Sequence, residues 1–406
     1  MKQRLFLYVK ALSDFGMFMD NIVLNVVVFA ATGSPTWLAA TMAARTFGGV
    51  LASLFSGVLA DRYSRRKIMI WSDIARGVLI LMLIPFPEPV IIIVASFLIG
   101  LINSFFTVSF QSEIPQIFGE DKILETNSLI ARLTSISLVG GFIGAGLITD
   151  MLGYEATLTI DASTYLLSAA VLMKLKWKSS NSSSTKLLGG IKEKIRSIAF
   201  DLKEVYLYVK LAPLLLMLNI VFLVGAFAGS SHNLGIPLLA ESIDETRQTF
   251  YYGFIWGVWG IGSVIATYTL PKLKWLTNSR LYIAAFLSAI LMSTGFIIFL
   301  SNTNVWIIFL FAFFTGIFDA CFTTLHSTIL QKSDNHIRGR IFGVGMLLKS
   351  FGFALGFIVA PVLLEHLAMP QMVWILHGLL IVTTITVCII MNMYVVNKQK
   401  SVQEHF

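Results

Sequence analysis

The chain is a succession of long apolar runs separated by short polar breaks. A bilayer core takes roughly 20 apolar residues per helix. Twelve runs fit, at about 5–31, 35–60, 68–86, 90–112, 127–149, 156–173, 211–238, 249–270, 281–300, 304–330, 341–367 and 371–396. The pattern predicts an all-α integral membrane protein with twelve transmembrane helices. The first run follows Met1-Lys-Gln-Arg4 directly, carries Asp14 and Asp20, and has no small-residue cleavage site. It is read as the first spanning helix and not as a secretory leader.

Composition agrees: 56% of residues are hydrophobic and 13% charged, about half the charged share of a soluble domain. Charge placement sets the topology. One face receives Lys2, Arg4, the cluster at 62–67, Lys122, the basic residues of 174–210, Lys272, Lys274, Arg280, Lys332, Arg338, Arg340, Lys398 and Lys400, while the other receives Arg247. Lys and Arg collect on the cytoplasmic side, so both termini are expected there. The net charge of +8 follows from this bias and is not a sign of nucleic-acid binding. Cys321 and Cys388 lie in apolar runs, and the six histidines are scattered without zinc-like spacing. No Gly-x-x-x-x-Gly-Lys-Ser/Thr sequence is present. ATP-driven transport, a metal site, a cofactor and an enzymatic activity are therefore not expected.

The longest polar break, 174–210, holds Ser179-Ser-Asn-Ser-Ser-Ser-Thr185 and then Ile191, Ile195, Ile198, Leu202 and Val205 at helical spacing. That spacing predicts an amphipathic helix on the inner leaflet. The break divides the chain into residues 1–173, a linker at 174–210, and residues 211–406. The two flanks echo one another. Met19-Asp20-Asn21-Ile22-Val23 parallels Met217-Leu218-Asn219-Ile220-Val221; Gly100-Leu-Ile-Asn103 parallels Gly316-Ile-Phe-Asp319; Gly141-Phe142-Ile143 parallels Gly356-Phe357-Ile358. The collinear order of these echoes predicts two pseudo-symmetric six-helix halves.

Between the second and third runs lies Gly57-Val-Leu-Ala-Asp61-Arg62-Tyr-Ser64-Arg65-Arg66-Lys67. It resembles the signature loop of the major facilitator superfamily, matching at Gly57, Asp61, Arg62, Arg65 and Arg66 and departing at Ser64, where the family prefers Gly. The resemblance implies two six-helix halves related by a parallel repeat, with substrate bound near the midplane between them. It implies that helices 1, 4, 7 and 10 line the cavity, and that Gly57, Asp61, Arg62, Arg65 and Arg66 act in conformational gating. Asp73 and Arg76 lie close enough along the chain to join that cytoplasmic charge network. Gly140-Gly141-Phe-Ile-Gly144-Ala145-Gly146 resembles the helix 5 glycine motif of exporters, with Gly141 where the motif has Pro. Ala43-Ala-Arg45 and Arg338-Gly-Arg340-Ile-Phe-Gly343 resemble the macrolide-efflux and siderophore-export branch.

Ionisable residues inside a span are costly and point to function. Asp14, Asn21 and Asn25 fall within about 20° of one line on the first helix, with Asp20 about 120° away. Thr315, Asp319, Thr323 and His326 form a stripe on the tenth. Asn103 and Asp319 correspond in the repeat, as do Asp161 and His377. Arg45 and Lys349 need acidic partners: Asp20 or Asp14 for the first, Asp319 for the second. The candidate cavity and proton-coupling residues are thus Asp14, Asn21, Asn25, Arg45, Asn103, Asn219, Asp319, His326 and Lys349. The reading is a secondary transporter of the bacterial cytoplasmic membrane, a monomer exporting amphipathic small molecules by proton antiport. The alternatives are a siderophore or lysophospholipid transporter, or a non-transporting membrane sensor or assembly protein.

Overall fold

The computed structural model describes residues 2–118, 123–175, 213–273, 276, 280–331 and 338–403. Among them are eleven α-helices: α1 (Lys2–Thr32), α2 (Pro35–Arg62), α3 (Arg65–Leu83), α4 (Pro89–Phe118), α5 (Ile123–Lys174), α6 (Pro213–Ile243), α7 (Gln248–Thr269), α8 (Leu281–Leu300), α9 (Val305–Gln331), α10 (Arg338–His366) and α11 (Met369–Gln403). The expected fifth and sixth spans both fall within α5. Gly153 breaks the helix there with φ 84° and ψ 170°, a conformation open to glycine and strained for other residues. The interruption falls in the short break between the two runs, where Asp150 and Glu155 flank Gly153, so α5 consists of two arms joined at that residue.

Nine of the described helices are long and apolar enough to cross a membrane. α3 is not among them because its 19 residues include Arg65, Arg66, Lys67, Asp73 and Arg76. Nor is α2, several of whose C-terminal side chains lie outside the described set. Large apolar side chains face outward along the helices, among them Trp306, Met151, Ile358 and Trp71. With lipid as solvent such exposure carries no penalty, and the helices satisfy their own backbone groups. The amphipathic helix expected at 191–205 lies outside the described residues.

The chain forms two compact units, Met1–Lys186 with Ile236–Gly260, and Leu187–Gly235 with Ile261–Phe406. In the first, Phe6, Val9, Met69, Phe106, Phe110 and Leu172 build an apolar cluster from α1, α3, α4 and α5, with Phe6 stacked on Phe110 at 4.7 Å. Glycines bring backbones together, as small residues do in membrane bundles. Gly48 of α2 packs on the Phe97 carbonyl of α4, and Gly100 of α4 on the Arg45 carbonyl, neither leaving room for a Cβ. The glycine cluster of α5 works on two sides. A Cβ on Gly141 would sit 2.8 Å from the Phe15 carbonyl of α1, and one on Gly146 3.0 Å from the Thr249 carbonyl of α7. In the second unit Gly352 and Gly356 of α10 similarly press on the Leu223 and Phe227 carbonyls of α6.

α2 and α3 are joined through Tyr63 and Ser64, both extended. Ser64 has φ −60°, a value any L-residue adopts. The departure from Gly at this position therefore introduces no backbone strain.

Candidate functional site

Helix α1 contributes a buried carboxyl to each of two neighbourhoods. Asp14 is 2% exposed. It pairs with Lys10 one turn earlier and accepts a 3.1 Å hydrogen bond from the Thr134 hydroxyl of α5. Lys10 also lies 6.0 Å from the Phe106 and Phe110 ring centroids. These residues open onto a cavity of about 250 Å³ between α1, α4 and the first arm of α5, lined by Lys10, Asp14, Asn103, Thr107, Gln111 and Thr134 with apolar neighbours. The cavity offers one anion, one cation, several neutral polar groups and the Phe110 ring. Of the expected cavity residues it gathers Asp14 and Asn103. Higher on α1, the Asn25 amide donates to the Asn21 carbonyl at 2.7 Å and to the Tyr252 hydroxyl of α7 at 3.4 Å.

Asp20, on the other face of α1, is fully buried. Arg45 Nη1 of α2 reaches its Oδ1 at 2.5 Å, and the Tyr165 hydroxyl of the second α5 arm donates to its Oδ2 at 3.1 Å. Of the two acids open to Arg45, the fold therefore selects Asp20. Asp73 and Arg76 of α3 are buried as well, at 0% and 1% exposure. Arg76 pairs with Asp73 and donates to Asn103 Oδ1 and Ser13 Oγ, both at 2.9 Å. Its guanidinium stacks over Tyr165 at 4.4 Å and Phe106 at 4.9 Å. Ser13 and Ser168 donate to the two Asp73 oxygens. This network belongs to the interior of the first unit and not to the turn at 63–64. Asn103 is common to both neighbourhoods, lining the cavity and receiving Arg76.

At the α2–α3 turn, Arg66 donates to the Leu172 and Met173 carbonyls at 3.2 and 2.7 Å. A cation there complements the negative end of α5. Arg65 is buried. The side chains of Gly57, Asp61 and Arg62 lie outside the described residues.

In the second unit, Asp319 on α9 is half-buried and Lys349 on α10 exposed. They interact electrostatically without forming an ion pair, so the expected partnership is looser than that of Arg45 with Asp20. The Asn219 amide donates to the Leu215 carbonyl at 2.8 Å, and its Oδ1 is buried without a partner. His326 is 3% exposed, stacked 3.7 Å from the Phe222 ring. It is thus packed inside the second unit. A second histidine arrangement was not anticipated: His232 Nδ1 lies 3.3 Å from His377 Nε2, and His377 Nδ1 3.3 Å from Ser293 Oγ.

Acid–base networks inside a polytopic helical chain agree with the sequence-level resemblance, and comparison with known proteins decides it. The Major Facilitator Superfamily model matches residues 7–357. The chain belongs to this superfamily. It is a multi-pass membrane transporter and not an enzyme. Similar superfamily proteins include BacE of Bacillus subtilis (strain 168), a proposed bacilysin exporter, 26% identical over 335 residues covering 81% of this chain and 80% of BacE. The Na(+), Li(+), K(+)/H(+) antiporter of Planococcus maritimus is 24% identical over 358 residues, with 81% and 80% covered. Among solved structures, the nucleoside transporter NupG superposes with a TM-score of 0.75 at 15% identity, covering 96% of this chain and 98% of NupG. That likeness speaks for the fold alone.

Proposed function

We propose that this superfamily member is a proton-coupled antiporter that exports amphipathic small molecules, by alternating access, from the bacterial cytoplasm. The supporting observation is the cavity of about 250 Å³ at Asp14: a buried carboxylate paired with Lys10, with the Phe110 ring in the same lining, suits an organic zwitterion or a cation that displaces Lys10, and the same carboxylate is the site where a proton would compete. Competition between proton and substrate for one acid yields antiport. Movement of one charge through 100 mV supplies roughly 2.3 kcal/mol, enough for a gradient of about fifty-fold. Two relatives, a proposed exporter and a cation/proton antiporter, support export and ion exchange as general modes. In this reading the termini are cytoplasmic, the protein works as a monomer, and the turn at 61–66 gates the inner face. The siderophore alternative has less support, because Arg45, one of the two cations it would use, is engaged by Asp20.

The test is accumulation of lipophilic cations, macrolides, dipeptide-like zwitterions, siderophores and lysolipids in cells overproducing the chain. Lowered accumulation of at least one amphipathic cation or zwitterion, lost in Asp14→Asn, is expected. Unchanged accumulation across that class, or full activity in both Asp14→Asn and Asp319→Asn, overturns the reading.

A further inference from the structure

One cluster of charges inside the first unit does not balance. Asp20, Asp73 and Asp161 are each 0% exposed, and the guanidiniums set among them are two, Arg45 and Arg76. Asp20 is engaged by Arg45 and Tyr165. Asp73 is engaged by Arg76, Ser13 and Ser168. Asp161, on the second arm of α5, is left over: neither of its carboxyl oxygens has a hydrogen-bond partner. It lies eight residues beyond Gly153, roughly 12 Å along the helix.

Asp161 is not remote from the others. Asp20 of α1, Arg45 of α2 and Arg76 of α3 all act on it electrostatically, as it does on Tyr165 of its own arm. It packs against Gly16 of α1, where its Oδ1 occupies the place a Cβ would need. An ionised carboxylate in such a site would lack both a dedicated cation and a donor. Unpaired charge in so dry a place is strongly disfavoured, and such groups neutralise instead. One proton brings three acids and two bases to zero net charge.

We propose that Asp161 is a proton-carrying site of this transporter, holding the proton in the conformation seen here. Arg45 Nη2 is buried with no hydrogen-bond partner, as is Arg76 Nε. When the Asp161 proton leaves to water, a guanidinium N–H is free to turn to the new carboxylate. Arg45 is then shared between Asp20 and Asp161, and the cluster carries one negative charge. Arg76 links that change to the cavity, because its Nη1 donates to Asn103, which lines it. The repeat-equivalent His377 is also fully buried but has His232 and Ser293 as neighbours; Asp161 alone of this pair lacks a partner. The assignment rests on the antiport reading for the proton's use, not for its presence.

The experiment is infrared spectroscopy of the purified protein in lipid nanodiscs, in water and heavy water, at pH about 7, where exposed carboxyls are ionised. The wild type is expected to show an isotope-sensitive C=O band of a protonated carboxyl. Asp161→Asn should lose that band, Asp161→Glu should move it, and Asp14→Asn should keep it. A band unchanged in both Asp161→Asn and Asp161→Glu overturns the proposal whatever transport assays report. If Asp161→Asn does not fold, an unmoved band in Asp161→Glu overturns it. Loss of the band in a protein that shows no gradient-driven transport upholds the site and overturns the antiport reading instead.

Discussion

Arg76 is the most heavily engaged charged side chain of the first unit, so its removal is the sharpest structural perturbation. Replacing it with Met preserves much of the volume but deletes the ion pair to Asp73, two 2.9 Å hydrogen bonds to Asn103 and Ser13, and the stacking over Tyr165 and Phe106. Asp73, at 0% exposure, would keep only the Ser13 and Ser168 hydroxyls. Breaking a buried pair by removing one partner is destabilising by about 3–5 kcal/mol, whereas replacing both by apolar groups is often near neutral. For a unit of this size that corresponds to a Tm lower by roughly 10 °C. The assay is thermal unfolding of the purified protein in detergent for Arg76→Met, Asp73→Leu and the double variant. The double variant should be more stable than Arg76→Met alone, a coupling of a few kcal/mol. A single variant as stable as the wild type, or a double variant whose loss is the sum of the singles, would refute this account of the network.

Other positions make separate predictions. Ser64→Gly should leave transport rates unchanged, because φ −60° needs no glycine; the added chain freedom should lower stability by no more than about 1 kcal/mol, read by thermal unfolding. Gly141→Leu should fail to accumulate as folded protein, since a Cβ there meets the Phe18 side chain at 2.7 Å and the Phe15 carbonyl at 2.8 Å; gel-filtration profiles check it. In the loop before α7, the Thr246 hydroxyl, with the Thr246 and Arg247 amides, donates to the Asp244 carboxylate and holds its pKa below the ordinary carboxylate value. A depressed pKa means the stabilising contribution is present above the unfolded value and lost as pH falls through the folded one. Amide protection at Thr246 and Arg247 should therefore drop at strongly acid pH in the wild type and be low at all pH in Asp244→Ala, measured by hydrogen exchange.

The helical, membrane-spanning character was legible because apolar run length alone decides it. The separation of the fifth and sixth runs was legible too, since Asp150, Gly153 and Glu155 interrupt the apolar pattern where the backbone breaks. Asp14 and Asp20 were visible as intramembrane acids, but which one takes Arg45 depends on the packing of α2 against α1, which one-dimensional pattern does not carry. Asp73 and Arg76 looked cytoplasmic because they follow the basic turn closely in sequence. The eight residues from Arg65 to Asp73 are helical, however, and carry the chain about 12 Å away from that turn, where Asp73 and Arg76 are buried. Lys10 was missed although its position one turn before Asp14 was a usable signal. Tyr165 and Ser168 gave none, because a lone hydroxyl in an apolar span is ordinary.

The central claim is exchange of protons for an organic substrate at Asp14, and inverted membrane vesicles test it most directly. Vesicles with an acid interior and a trapped pH-sensitive dye are offered each compound found to be exported by cells. The account predicts that substrate addition releases protons in vesicles holding the wild type and not in those holding Asp14→Asn. Substrate uptake with no proton movement, or equal proton release by Asp14→Asn, would contradict it.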